Sequence, residues 1–249
     1  MSVEIREVAI PRDLNLFIHF PYQLYKGNPY WVPGLFSDEE NTLSAEKNPA
    51  FAYSQARYWL ALKDHRVVGR VAAIISEGHR QRWKQAYMRF GWIDFLDDME
   101  VSKALMGQVE AWAKEKKLTA VHGPLGFTDM DHAGMLVEGF AELGTMATIY
   151  NYPYYPRHLE VLGYQKDVDW VEYEITVPQT PDPKIAKLAQ IVLRRENLRL
   201  IEFKDKQEVM QRAPEIFALI NEGYRNLYGY VPLNDEQVEL YTNQYLGFI

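Results

Sequence analysis

The residues best suited to chemistry lie in one stretch, HGPLGFTDMDHAGM, which covers residues 122–135. It follows the short apolar run LTAV and holds two histidines, His122 and His132, and two aspartates, Asp129 and Asp131. Imidazoles and carboxylates can bind a metal ion, transfer protons or cap a helix, and glycine-rich loops can bind phosphate. The residue types therefore allow a metal site, a phosphate-binding loop, a catalytic loop or a polar connection between two buried elements.

The spacing of these residues argues against the first two readings. The imidazoles and carboxylates match no standard ligand pattern, and the chain has no cysteine, which excludes a thiolate zinc site and a cysteine nucleophile. A phosphate-binding loop needs consecutive glycines that open onto a helix, whereas Pro124 and Leu125 stand where free N–H groups are required. We predict no metal, and the catalytic loop and the polar connection remain open.

The overall composition narrows the class of protein. The chain has 249 residues, of which 47% are hydrophobic and 24% charged, as in soluble globular proteins. A net charge of −7 repels the phosphodiester backbone, so nucleic acid is not expected as a partner. The N-terminus lacks the pattern of a signal peptide, and no apolar run reaches the roughly 18–20 residues that span a bilayer. We expect a cytoplasmic protein without a membrane span.

Aromatic residues, 14% of the chain, cluster in YKGNPYWVP (25–33) and IYNYPYYP (149–156). Tyrosine combines an apolar face with a polar tip, so such clusters often line clefts and interfaces. The alternative is that they anchor proline-bracketed loops on the core.

The periodicity of the chain predicts the elements that position these residues. A strand over 3–10 and a helix over 11–27 precede a hairpin over 56–75. A further strand over 87–96 leads into an amphipathic helix capped by Asp97 or Asp98, and then into the buried strand LTAVHG. A helix that connects two strands implies that the strands are parallel neighbours.

The second half of the chain predicts a linker followed by a second series of helices and strands. A short helix over 153–164 and a long alternating strand over 166–177 precede PQTPDP, which has three prolines in six residues. A helix follows, then a strand over 198–203 and further helices. The motif YGYVP (228–232) matches NPYWVP (28–33), which favours a duplicated domain. We predict a domain over 1–177, a linker and helix over 178–197, and a partial second domain over 198–249.

This order of elements resembles the GNAT superfamily of acyl-CoA N-acyltransferases over about residues 1–177. The similarity is carried by VVGRVAAI (67–74), which resembles the return strand of the family's hairpin, and by HLEVLGYQKDVDWVEYEI (158–175), which resembles the short helix before the last strands. The resemblance implies an α/β fold (mixed α+β) with a mixed sheet flanked by helices. It also implies an acyl-CoA co-substrate and a small-molecule amine as the acyl acceptor.

Two features depart from the family pattern. The family places a glycine-rich loop before its long helix to hold the pyrophosphate of coenzyme A, whereas FLDDMEVSKAL has no glycine and carries Asp97, Asp98 and Glu100. Each carboxylate would oppose phosphate binding by about 1 kcal/mol in water and roughly 4 kcal/mol near a protein surface. Leu159 stands where many members have a tyrosine that protonates the leaving thiolate, although Tyr154 and Tyr155 are one turn away.

The resemblance also suggests where a site would form. WIDF (92–95) and VHGPLGF (121–127) would make the two sides of a cleft between diverging strands. Asp94 or His132 could accept the ammonium proton, and a nearby tyrosine could supply a phenol. Helix capping is the structural alternative for Asp94. The catalytic candidates are Asp94, His132 and Tyr155, and the substrate-binding candidates are His122, Gly123, Phe127, Asp129, Asn151 and Tyr154.

The sequence thus favours an N-acyltransferase, with a catalytically silent GNAT-like binding module as the first alternative and a metal-dependent hydrolase as the second. The acidic helix entry favours the silent module, and the Asp and His residues beside the cleft favour the enzyme. Residues 198–249 supply only a first strand and its helices, so we expect a longer natural protein, with this segment packed on the first domain or self-associating. The acyl chain, the acceptor and the pathway cannot be read from the sequence.

Overall fold

The fold comes from a computed structural model that describes residues 2–180 and 182–245. The strands are β1 (Glu4–Glu7), β2 (Ser54–Lys63), β3 (Arg66–Ser76), β4 (Tyr87–Phe95) and β5 (Ala120–His122). The helices are α1 (Leu14–Leu24), α2 (Phe36–Leu43), α3 (Glu77–Trp83), α4 (Met99–Glu115), α5 (Tyr154–Val161), α6 (Pro183–Arg195), α7 (Lys206–Gly223) and α8 (Asp235–Tyr245).

The five strands form one mixed sheet in the order β1-β2-β3-β4-β5. The first four are antiparallel, and β5 runs parallel to β4, with Tyr87 opposite Ala120. Helix α4 makes the connection that a parallel pair requires. The predicted hairpin and the predicted parallel pair are both confirmed.

The sheet is covered on both faces. Helix α4 buries Val101, Leu105 and Val109 against one face, and α5 extends that layer. Helix α1 buries Phe17 and Ile18 against the other face. Burial of each such side chain stabilises the fold by about 1.5–3 kcal/mol. The predicted mixed α/β class is therefore confirmed.

Two predicted strands do not form. Residues 166–177 and 198–203 have the alternating pattern of strands, but the structure shows no strand in either segment. Val171 and Leu200 illustrate the reason, because both are more than 70% exposed and no strand of the described sheet lies beside either segment to pair with its backbone. The alternating pattern shows only that the segment is amphipathic. Such a segment forms a strand only where a neighbouring strand supplies backbone hydrogen bonds.

Helices α7 and α8 pack together and against the sheet domain. Phe217, Leu233 and Tyr241 form a small apolar core between them. Trp83 Nε1 donates to the carbonyl of Tyr230 at 2.9 Å, and Thr128 Oγ1 and the Tyr241 hydroxyl lie 2.8 Å apart. A second domain and self-association through 198–249 remain predictions, and Leu246–Ile249 lie outside the described residues.

Candidate active site

The candidate site begins where β5 leaves β4. The two strands pair only as far as Arg89 and His122, and Leu125 N then donates to Phe90 O at 2.7 Å. Within the described residues, no strand continues beside 92–95 on this side. The sheet therefore has a gap next to the C-terminal end of β4, and side chains from both faces of the sheet can meet in this gap.

A β-bulge in β4 turns Asp94 toward this gap. The core under α4 contains two pairs of alternate residues from β4, Met88 with Phe90 and Ile93 with Phe95. Phe90 and Ile93 are three positions apart instead of two, so one extra residue is inserted between the pairs. The pairing with β3 shifts at the same point, and Trp92 adopts a left-handed φ of 44°. In a regular strand Asp94 would share the face of Phe90 and be buried against α4. The bulge instead directs its carboxylate to the α1 side.

Asp94 is the centre of a buried polar network. Its carboxylate accepts from Arg70 Nε at 2.8 Å, from the Tyr25 hydroxyl at 2.8 Å and from the Tyr155 hydroxyl at 3.2 Å. Tyr25 follows α1 on one face of the sheet, and Tyr155 lies in α5 on the other. Their hydroxyl oxygens are 2.8 Å apart, and Phe95 N donates to the Tyr155 hydroxyl at 3.1 Å.

The environment keeps both phenols neutral. Burial raises the pKa of Tyr25 and of Tyr155 well above the usual value of 10.0, and the negative charge of Asp94 raises both further. A phenol in this state remains a hydrogen-bond donor at neutral pH. Tyr155, whose bond to Asp94 is the longer of the two at 3.2 Å, can therefore turn to stabilise negative charge that develops on a bound molecule, while Tyr25 keeps its bond to Asp94.

The network lies at the bottom of an aromatic cleft of about 120 Å³. Tyr25 packs on Trp31 with ring centroids 5.2 Å apart and on Tyr150 at 5.6 Å. Both predicted aromatic clusters thus contribute to one cleft. Its other lining residues include Tyr22, Trp92, Pro124, His132, Met135 and Asn151.

His132 contributes an imidazole to the cleft. Its Nε2 lies 2.9 Å from the carbonyl oxygen of Met146. A carbonyl only accepts hydrogen bonds, so Nε2 must carry the proton. The lone pair of the neutral ring therefore lies on Nδ1, which can accept a proton from a substrate.

Asn151 fixes the wall beside His132. Its Oδ1 accepts from Leu136 N at 2.7 Å and its Nδ2 donates to Leu136 O at 3.1 Å. These two bonds connect the loop after His132 to the segment before α5. Four predicted site residues, Asp94, His132, Tyr155 and Asn151, are thus brought to one cleft.

Three further candidates have structural contacts instead. The Tyr154 hydroxyl donates to Phe95 O at 2.6 Å, beside the cleft and not in its lining. Phe127 is fully buried in the core under α1. Gly123 has a φ of +151°, and a Cβ there would collide with the carbonyl of Phe90. Gly123 shapes the exit from β5.

His122 belongs to a second buried polar cluster, centred on Arg89, and the exposed Asp129 interacts with the charge of Arg89. The guanidinium donates to the carbonyls of Gly126 at 2.9 Å and Gly229 at 2.6 Å, and its Nη2 is 3.2 Å from His79 Nδ1. His122 Nδ1 lies 3.2 Å from the Tyr228 hydroxyl. This cluster connects the loop after β5 to the segment between α7 and α8, through Tyr228 and Gly229. None of its residues lines the aromatic cleft.

The order and pairing of β1 to β5, the α4 crossover and the divergence at β5 are those that the sequence resemblance implied. The fold is of the GNAT type. No protein-family model matches the chain.

Two curated proteins are similar to this GNAT-type chain in sequence. Protein YghO of Escherichia coli is 34% identical over 234 residues, which cover 94% of this chain and 59% of that protein. The bacterial ceramide synthase of Caulobacter vibrioides is 28% identical over 244 residues, which cover 95% of this chain and 61% of that protein. The chain spans about 60% of the length of these relatives.

Solved structures with low sequence identity were also found. A predicted acetyltransferase from Clostridium acetobutylicum, solved with acetyl-CoA, has a TM-score of 0.44 at 10% identity over 70% of this chain and 96% of its own. A tandem GNAT protein of clavulanic acid biosynthesis has a TM-score of 0.43 at 14% identity over 65% of this chain and 43% of its own.

The entry to α4 differs from a phosphate-binding site of the GNAT type. Asp98 caps the helix by accepting from Glu100 N at 2.9 Å. Lys63 Nζ lies 2.6 Å from Asp98 and 2.9 Å from Glu100, and His158 Nε2 lies 2.9 Å from Asp97. A carboxylate therefore occupies the anion position at the helix N-terminus. No three His, Asp or Glu side chains of the described part could hold a metal ion together.

Two residues of the network were not identified from the sequence. The sequence placed Tyr25 in the aromatic cluster 25–33 but gave it no role of its own. Arg70 carried a usable signal, because a lone charge within the apolar run VVGRVAAI implies a buried partner. Nothing in the sequence indicated that Asp94 was that partner, although Gly91, which lies next to the bulge within β4, is a residue type that often marks a bulge.

Acid is expected to destabilise the fold through the Arg89 cluster. Burial, reinforced by Arg89, lowers the pKa of His79 from 6.5 to about 4 and of His122 to about 3. Burial raises the pKa of Asp131 to about 6. Between pH 6 and 4 the unfolded chain binds protons on two imidazoles and the folded chain binds one on Asp131, so stability falls as the pH falls.

Thermal unfolding between pH 7 and pH 4.5 measures this slope. His122→Gln should reduce it, and the exposed His65→Asn should leave it unchanged. A midpoint that is constant over this range would show that the two buried imidazoles do not titrate as the cluster requires.

Proposed function

We propose that the chain is an N-acyltransferase that moves an acyl group from an acyl-CoA-type thioester to an amine. The observation that carries the proposal is the convergence of two neutral phenols on Asp94 at the bottom of an aromatic cleft that His132 also lines. Aminolysis of a thioester needs a base for the ammonium proton and a donor for the departing sulfur. The cleft supplies both.

The reaction is assigned to these residues as follows. The amine nitrogen attacks the thioester carbonyl, the C–N bond forms, and His132 Nδ1 accepts the ammonium proton. The C–S bond then breaks, with the Tyr155 hydroxyl turning from Asp94 to donate its one hydrogen bond to the leaving sulfur, while Tyr25 keeps its bond to Asp94. The proton lost by the amine is finally carried by the free thiol. Asp94 is a positioning residue, because Arg70 and two hydroxyls already occupy its carboxylate.

The proposed acceptor is an amine with an apolar substituent. Tyr22, Trp31 and Tyr150 give the cleft an apolar wall that favours such a group over a charged one. The relative from Caulobacter vibrioides is named a bacterial ceramide synthase, and a ceramide is an amide. Both points support amide formation on an apolar amine.

Amine-dependent release of free thiol from acyl-CoA esters tests the proposal. We expect release that requires both the protein and an aliphatic primary amine. Release that is equal with and without the amine would indicate a thioesterase, and its complete absence across acyl chain lengths would favour the silent binding module.

The silent module is supported by one observation, the acidic entry to α4. If this entry repels the donor's pyrophosphate, Asp97→Asn/Glu100→Gln should tighten coenzyme A binding by about tenfold, since two like charges near the phosphates are removed. Calorimetric titration measures the change. The control is Glu236→Gln/Glu239→Gln, which removes the same number of negative charges from α8 instead of α4. Equal affinity in the wild type and the α4 variant would place the donor elsewhere.

A further inference from the structure

The aromatic cleft carries one negative charge that no other lining residue balances. Its lining contains two carboxylates and one guanidinium, those of Glu39, Asp94 and Arg70. Arg70 and Asp94 form an ion pair at 2.8 Å, so their charges offset each other. The imidazole of His132 adds no charge in its proton-accepting form. The charge of Glu39, a half-buried residue of α2, is therefore left over.

Glu39 is held by one of its two oxygens. Trp92 Nε1 donates to Oε2 at 2.7 Å. Within residues 2–180 and 182–245, no donor reaches Oε1 and no cation forms an ion pair with Glu39. Oε1 lies beside Gly34, which also lines the cleft. The indole thus orients the carboxylate, and one oxygen remains available to a bound molecule.

Aromatic rings line the cleft next to Glu39. Burial raises the pKa of Tyr22, and the negative charge of Glu39 raises this pKa further, which places the carboxylate close to the ring. Tyr22 meets Trp31 edge to face, with ring centroids 5.3 Å apart and planes at 86°. The face of an aromatic ring attracts a cation, and such rings form the sites that recognise substituted ammonium ions. The rings and the carboxylate therefore favour the same kind of ligand.

We propose that Glu39 binds the ammonium group of an alkylamine, with Tyr22 and Trp31 beside the charge and the alkyl chain along the aromatic wall. An aliphatic primary amine has a pKa of about 10.4, as in lysine, so it enters the cleft as a cation. One of its N–H groups donates a charge-assisted hydrogen bond to Glu39 Oε1. An alcohol of the same length brings no charge, and an amine with a carboxylate next to its nitrogen is repelled by Glu39.

The role of this cation as acyl acceptor rests on the proposed function, whereas its binding does not. As acceptor, the ion releases one proton to solvent, which gives the nitrogen a lone pair for attack on the thioester. The second proton leaves after the C–N bond has formed and passes to His132 Nδ1. Glu39 takes up no proton in this sequence. It selects the acceptor by charge.

Calorimetric titration with hexylamine and with hexan-1-ol at pH 7, without any thioester, tests the assignment. The wild type should bind hexylamine about tenfold or more tightly than hexan-1-ol. Glu39→Gln should reduce this preference to less than about threefold, because glutamine keeps an oxygen for Trp92 but carries no charge. Glu40→Gln is the matched control. It removes the same charge from the next position of α2, where Glu40 pairs with Lys47 at 3.4 Å, and should keep the preference.

The wild type alone provides a second measurement. Added salt should weaken the binding of hexylamine and leave that of hexan-1-ol unchanged. Equal affinity for the two ligands, equal response to salt, a preference that survives Glu39→Gln, or a preference lost equally in Glu40→Gln would each overturn the proposal.

Kinetics separate this inference from the proposed function. With an acyl-CoA ester, Glu39→Gln should raise the KM for the amine about tenfold and change kcat by less than about threefold, because the lost interaction acts in binding. Binding of hexylamine that depends on Glu39 in a protein without transferase activity would support the inference and reject the proposed function. Acyl transfer that Glu39→Gln leaves unchanged would reject the inference alone.

Discussion

Arg70→Met is expected to lower the free energy of unfolding by about 3–5 kcal/mol, because it leaves the carboxylate of Asp94 buried without its cation. The two side chains are 9% and 10% exposed, and their ion pair measures 2.8 Å. Arg70 Nη1 also donates to Phe17 O at 3.0 Å, which ties α1 to β3. The variant therefore loses a buried pair and a contact between the sheet and its covering helix.

Urea unfolding measures this change, and Arg57→Met is the matched control. Arg57 lies on β2 with a 39% exposed side chain, and its ion pairs with Glu7 and Glu115 are 3.6 Å long. Exposed pairs contribute about 1 kcal/mol or less. A loss at Arg70 no larger than at Arg57 would show that solvent reaches Asp94 in the folded state.

Tyr155→Phe is expected to lower the kcat of acyl transfer by about 100-fold or more, which is the usual cost of removing one donor from a developing negative charge. The ring would remain packed on Phe95, whose centroid lies 4.3 Å from that of Tyr155, so the cleft should keep its shape. KM should change little. The phenol acts on the leaving group and does not form the aromatic wall.

Tyr154→Phe is the control for this variant. Its hydroxyl also bonds to Phe95, through the carbonyl, but it does not line the cleft. The proposal expects a change of less than about fivefold, in line with loss of a single structural hydrogen bond. Equal losses in both variants would mean that the two tyrosines serve only to hold β4.

The sheet could be predicted from the sequence because its signals are local. The two β-rich runs of β2 and β3 around the polar KDHR turn, the apolar face of α4 and the short apolar run before His122 each indicate their elements, and the crossover indicates the parallel pair. Residues 166–177 show the limit of this reasoning. Their alternation of apolar and polar residues predicts a strand, but nothing in the sequence indicates whether a partner strand is present.

The site could be predicted only in part, for a physical reason. Asp94, His132, Asn151 and Tyr155 were identified by type and by position at the ends of elements. The contribution of Tyr25 depends on the gap beside β4, and the orientation of Asp94 depends on one left-handed residue, Trp92. Both are tertiary features. His122, Asp129 and Phe127 share the same loop in sequence but face other parts of the protein.

The most direct test of the central claim is mass spectrometry of the products formed from an acyl-CoA ester and a long-chain primary amine. The account predicts an N-acyl amide whose mass equals amine plus acyl group minus one hydrogen, formed by the wild type and nearly absent with Tyr155→Phe. Amide formation at equal rates by both proteins would contradict it, because the phenols on Asp94 would then have no part in acyl transfer.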